Sequence, residues 1–171
     1  MAFVAALAAM LLGIRAGHRA SGDHERAMEA DRCVTDIRQP DGIECTYFYE
    51  TATAVVVVNG SDRVMPVRLV LPDKGVRWGE VQLAPCRQLV IPSAGLLMSM
   101  KAAAPSVGLG PAQLEQLQLE VTDPGGLVWR RTSSGVATPA PPGAPPSGTG
   151  LVDYAESWTA NAKNSPVCTA S

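Results

Sequence analysis

The chain has 171 residues, of which 46% are hydrophobic and only 5% aromatic, and its formal net charge is -2. This length suits one globular domain with flanking segments. The near-neutral charge gives no electrostatic basis for nucleic acid as a general partner. The four cysteines (Cys33, Cys45, Cys86 and Cys168) contain no Cys-x-x-Cys pair, so zinc-ribbon and thioredoxin-type sites lack their spacing.

Residues 1–14, MAFVAALAAMLLGI, carry no charge. A spanning helix needs about 20 apolar residues, so the run is short, yet it reads best as a membrane anchor. A signal peptide is the alternative, although no basic residue precedes the run. Arg15, His18, Arg19 and Arg26 follow it, and basic residues beside a span mark its cytoplasmic side. The expectation is therefore a membrane-associated chain with one N-terminal anchor and a cytoplasmic-facing domain; secretion is the alternative. Residues 15–44 are charged and read as a helical stalk or linker.

From residue 45 to about 136 the pattern becomes one of strands. Residues 47–58, YFYETATAVVVV, are dense in aromatic and β-branched side chains, which favour a pleated surface. The unbroken apolar run 54–58 fits a strand covered on both faces. Asn59-Gly60 signals a turn through its tolerance of positive φ. Val67, Leu69 and Leu71 alternate with Arg68 and Val70, and Pro72-Asp73-Lys74-Gly75 is a second turn. Gln118, Glu120 and Thr122 alternate with Leu117, Leu119 and Val121, and Asp123-Pro124-Gly125-Gly126 closes a hairpin onto 127–131. Strands of about five residues recurring every ten or so predict an all-β fold, an antiparallel sandwich of about seven strands. The segment 93–116 is ambiguous: residues 95–101 fit either the last of these strands or a turn of buried helix. Residues 137–150 are a Pro/Gly-rich linker of extended, spacer character. Residues 151–171 read as a tail, with disorder favoured over a docking helix.

Chemistry is sparse. Both histidines, His18 and His24, precede the β region, so histidine-based acid–base or nucleophilic catalysis has no base within it. No phosphate-binding glycine motif or calcium-loop series occurs. No cofactor, metal ligand set or small-molecule substrate is indicated, and the chain is expected not to be an enzyme. The candidate interaction residues are Asn59, Gly60, Ser61, Asp62 and Arg63 in one loop, and Asp73 and Lys74 in another. An exposed sheet edge is a third candidate surface. Asn59-Gly60-Ser61 also matches a glycosylation sequon. Cys33 and Cys45 are the candidate local disulfide, with free thiols as the alternative.

The stretches VVVVNGSDRVMPVRLVLP, WGEVQLAPCRQLVIP and LQLEVTDPGGLVWRR resemble those of actinobacterial membrane-anchored proteins in which a transmembrane helix and charged stalk precede a small immunoglobulin-like domain. The likeness covers about residues 50–131. It implies an immunoglobulin-like sandwich without activity. The chain departs from the pattern in its shorter apolar N-terminus, and in placing Cys86 where such turns carry Pro and Gly. The leading expectation is a non-catalytic, membrane-tethered module for an unidentified protein partner. A secreted, disulfide-stapled sandwich is the second reading, and a hydrolase with a Ser or carboxylate site the third.

Overall fold

The computed structural model describes residues 42–103, 105, 110–140, 150–152, 159–160 and 162–169. The expected anchor 1–14 and residues 15–41 of the stalk lie outside these. Among the described residues no helix is long and apolar enough to cross a membrane.

Two sheets make the fold. The smaller contains β1 (Thr46–Glu50), β2 (Ala54–Asn59), β6 (Arg87–Pro92) and β11 (Lys163–Asn164), in the order β1-β2-β6-β11 and antiparallel throughout. The larger contains β3 (Met65–Leu71), β4 (Val76–Trp78), β7 (Gln118–Thr122), β8 (Val128–Arg131), β9 (Thr138–Pro139) and β10 (Gly150–Val152). Its order is β10-β4-β3-β7-β8-β9, with β5 (Val81–Leu83) beside the first half of β3. Among the described strands only the β10–β4 pair is parallel.

Period-two alternation builds the interior. Phe48, Val55, Val57, Leu89 and Ile91 of the smaller sheet meet Val67, Leu69, Leu71, Trp78, Leu119 and Val121 of the larger in one buried cluster. The protein is thus mostly β, with two sheets packed as a sandwich. β2 is buried at every position. Its second face, Val56 and Val58, joins Tyr47 in a separate apolar cluster on the outside of the smaller sheet. At one flank Arg131 of β8 bridges the sheets, donating to the Thr46 carbonyl at 3.2 Å with its guanidinium 5.9 Å from the Tyr47 ring centroid.

The ambiguous segment is helical. α1 (Ser93–Ala103) follows β6 directly, so of the two readings left open at 95–101 the helical one holds. Leu96 and Met100, four residues apart, are fully buried while Met98 is exposed, a helical spacing rather than a β alternation. Trp78 is a core residue whose indole donates to Ser99 Oγ on α1. The linker and tail also carry structure. β9 extends β8, β10 lies against β4, and β11 lies against β6. These strands are two or three residues long, too short to show as an alternating pattern.

Candidate functional site

Loops from both sheets gather at one end of the sandwich. β2 ends there and the chain crosses to β3 through residues 60–64. β7 opposes β3 with Val121 beside Val67, so the β7–β8 turn opens at the same end. In that turn Asp123 accepts from the Leu127 amide at 2.8 Å and from the Trp129 indole at 3.0 Å. Gly126 takes φ +83°, a conformation that favours glycine. The Trp129 hydrogen bond above all, with those of the Leu127, Gly125 and Gly126 amides, holds the Asp123 carboxyl below its usual range against the opposing effect of desolvation.

Asn59 organises the crossing. It is fully buried. Its amide nitrogen donates to the carbonyls of Arg63 at 2.7 Å, Leu83 at 2.8 Å and Ala84 at 3.0 Å. Its oxygen accepts from the Ser61 amide and, at 2.6 Å, the Ser61 hydroxyl. Asn59-Gly60 is therefore not a positive-φ hairpin turn: β2 and β3 belong to different sheets, and neither residue is among those of positive φ. The nitrogen that glycosylation would modify is enclosed by acceptors. Past this hub the loop turns outward, with the Asp62 and Arg63 side chains 93% and 50% exposed. Val64 and Leu127 are exposed apolar residues at the same end.

A covalent clasp lies beside the loops. Cys86 and Cys168 form a disulfide across 82 residues. Cys86 occupies φ +55° in the β5–β6 turn, a position usually left to glycine. Its carbonyl accepts from the Ser165 amide at 2.7 Å. Arg87 donates to Asn164 Oδ1 and to the Ala162 carbonyl. Val167 packs on the outer cluster of Tyr47, Val56 and Val58. Cys45 is also disulfide-bonded, and Cys33, its expected partner, lies outside the described residues.

The larger sheet's outer face is charged. Thr138, Arg130, Glu120 and Arg68 form one cross-strand row. Glu120 is 3% exposed. Its carboxylate lies 3.2 Å from Arg68 Nε, 3.8 Å from Arg77 and 3.2 Å from Arg130 Nε. Arg68 also pairs with Glu80 at 3.5 Å.

The structure separates the two predicted interaction loops. Asp73 and Lys74 sit in a 3₁₀ turn (Pro72–Lys74) closed by Gly75 at φ +61°, at the far end of β3 from Asn59–Arg63. Seven strand residues, about 23 Å, lie between. Within the first loop, Asn59 and Ser61 are buried struts, Gly60 is half-buried, and Asp62 and Arg63 face solvent. The sheet edges differ: β9 and β11 have two residues each and β9 contains Pro139, features that discourage strand addition, whereas β1, the other edge of the smaller sheet, has five residues.

At the opposite end Glu50, last residue of β1, has its pKa raised to about 7, first by burial and then by the neighbouring charge of Glu115. Among the described residues no group of three or more His, Cys, Asp or Glu side chains is placed to hold a metal ion. Comparison with family models, curated proteins and solved structures finds no match.

Proposed function

We propose that the chain is an immunoglobulin-like, disulfide-stapled binding module held on the oxidising side of a membrane, which meets a protein partner through the loop end bearing Asp62, Arg63, Val64 and Leu127. The observation that carries this is the state of the sulfurs: Cys86 is bonded to Cys168, and Cys45 is bonded too. Such bonds persist in oxidising compartments and are rare in the cytosol. This favours the side opposite to the one the basic residues after the apolar run suggest, with residues 1–14 as tether. The immunoglobulin-like reading is supported by the strand orders β1-β2-β6 and β4-β3-β7-β8, with connections that cross between the sheets. It departs from that fold in placing α1 between β6 and β7, and in having no cysteine on β2 or β7. The binding reading is supported by the four exposed side chains at the loop end. It is supported as well by the structural employment of the acids elsewhere, Glu120 in ion pairs and Asp123 in a turn.

Thiol titration in denaturant tests the compartment. No reactive thiol without reductant, together with cleavage of the domain by protease added outside intact cells, is the expected result. Four titratable thiols, or cleavage only after the membrane is breached, would end this reading. The loop end is tested by a photo-crosslinking residue at position 62 in producing cells. A discrete adduct is expected there and none from position 74, and equal yields at both positions would refute it.

A further inference from the structure

The segment around β11 finishes the edge and the outer face of the smaller sheet. β11 pairs through two residues with Gln88 and Arg87 of β6, and a 3₁₀ turn, Pro166–Thr169, follows it. Lys163, Asn164 and Pro166 face solvent, and Val167 is half-buried. So short a strand with so little apolar burial belongs to the least stable part of a fold. Its described ties gather on one corner. Ser165 donates its amide to the Cys86 carbonyl at 2.7 Å, Arg87 donates to Asn164 Oδ1 at 2.6 Å, and Cys168 is bonded to Cys86.

The apolar patch under Val167 is separate from the core. Tyr47, Val56 and Val58 form their own cluster, with Val167, Tyr49 and Val90 packed against it. Phe48, Val55, Val57 and Leu89 of the same strands belong to the core on the other face. Lifting Val167 therefore uncovers the outer cluster and leaves the core closed. β6 keeps its pairing with β2 from Ala54–Pro92 to Asn59–Arg87, so the smaller sheet survives as well. The conformation of Cys86 also favours opening. Among the described residues it is the one non-glycine with positive φ, +55°, a strained conformation for a residue with a Cβ. Its amide is tied to the Ser61 carbonyl, but its carbonyl and its sulfur are both tied to the segment 165–168. Releasing that segment frees the turn to relax.

We propose that the Cys86–Cys168 bond is the latch of a thiol-operated cover: its reduction releases residues 163–168 and exposes the outer face of Tyr47, Val56 and Val58, with the two-sheet body intact. Cys86 and Cys168 are half-buried, open to an attacking thiolate, whereas Cys45 is buried. The co-reactant is a dithiol. One of its thiolates attacks a sulfur of the bond to form a mixed disulfide, and the other cysteine leaves as a thiolate and takes up a proton. The second thiol of the reductant then resolves the mixed disulfide. The dithiol becomes a disulfide, and two electrons pass to Cys86 and Cys168. The device rests on the bonded sulfurs of the reading above and is independent of the loop end.

The test starts from full chain shown by titration in denaturant to hold no reactive thiol, which keeps a failure here distinct from a failure of the disulfide reading. Dithiothreitol is added stepwise, and the thiols it frees are alkylated and located by mass spectrometry. Cys86 and Cys168 should be labelled at least tenfold faster than Cys45. Hydroxyl-radical footprinting of the chain reduced at that one bond should show Tyr47 oxidised at least fivefold more than in the parent, with Phe48, its core-facing neighbour, unchanged. The double variant Cys86→Ser, Cys168→Ser should give the same Tyr47 signal without reductant, and reoxidation of the parent should abolish it. Labelling of Cys45 in step with Cys86, an unchanged Tyr47, or a rise at Phe48 together with Tyr47 would overturn the latch.

Discussion

The outer faces of the two sheets solve the same problem in opposite ways. Each belongs to a sheet whose other side fills the core. The smaller sheet turns outward with Tyr47, Val56 and Val58, side chains that must be covered, and Val167 is drawn over them by the clasp at Cys86–Cys168. The larger sheet turns outward with Arg68, Glu120 and Arg130, which form ion pairs across three strands. Alternation therefore sets which residues face away from the core, but not how that face is finished. An apolar exterior depends on a distant stretch of chain being fastened down, whereas a charged one depends on register.

The largest test of this contrast is the clasp. Cys168→Ser should cost about 4–5 kcal/mol, the loop-closure entropy for an 82-residue separation. Chemical denaturation should show this difference between parent and variant without reductant and not with it, and β11 amides should lose protection in the variant while β7 and β8 keep theirs. Next is the hub that joins the sheets. Asn59→Ala strands the carbonyls of Arg63, Leu83 and Ala84, and a loss of about 3 kcal/mol of stability, read from the shift in denaturation midpoint, is expected. Glu120→Gln should cost about 2 kcal/mol. It leaves three arginines facing one another, so added salt should recover part of the loss; equal losses at low and high salt would argue against the ion-pair account.

The smallest effect is a pH dependence at Glu50. Its folded-state pKa is raised from 4.5 to about 7. Between these values the folded chain keeps a proton that the unfolded chain has released, so stability is full below pH 4.5 and falls as pH rises towards 7. Partial exposure limits the change to about 1 kcal/mol. Glu50→Gln should flatten the profile of melting temperature over that range, and Glu115→Gln should flatten it in part.

Much of the architecture was legible in the residues. Val67-Arg68-Leu69 and Leu119-Glu120-Val121 announce half-buried strands by alternation, and Asp123-Pro124-Gly125-Gly126 announces its hairpin by turn chemistry. The run Ala54–Val58 reads as a doubly covered strand because no polar residue interrupts it. α1 was not legible, since Leu96-Leu97-Met98-Ser99-Met100 satisfies either period over so short a length. The Glu120 row was hidden for another reason. Its members are ordinary surface residues until register sets Arg68 and Arg130 on either side of one carboxylate. Asn59 carried a turn signal that masked its use as a buried hub. The Cys86–Cys168 bond gave one local hint, a cysteine in a turn better suited to glycine, and no hint of its partner far along the chain.

The position of Cys168, after every described strand of both sheets, also orders the making of the molecule. As the chain emerges during synthesis, Cys33, Cys45 and Cys86 arrive first. In the folded chain Cys45 and Cys86 both lie beside the Gly60–Ser61 crossing, the Gly60 amide donating to the Cys45 carbonyl and the Cys86 amide to the Ser61 carbonyl. The partner of Cys86 appears only after the 82-residue separation between them has been made, so a chain halted before it carries a sulfhydryl free for the wrong match. The Cys86–Cys168 bond can therefore close only after every described strand of both sheets has been made.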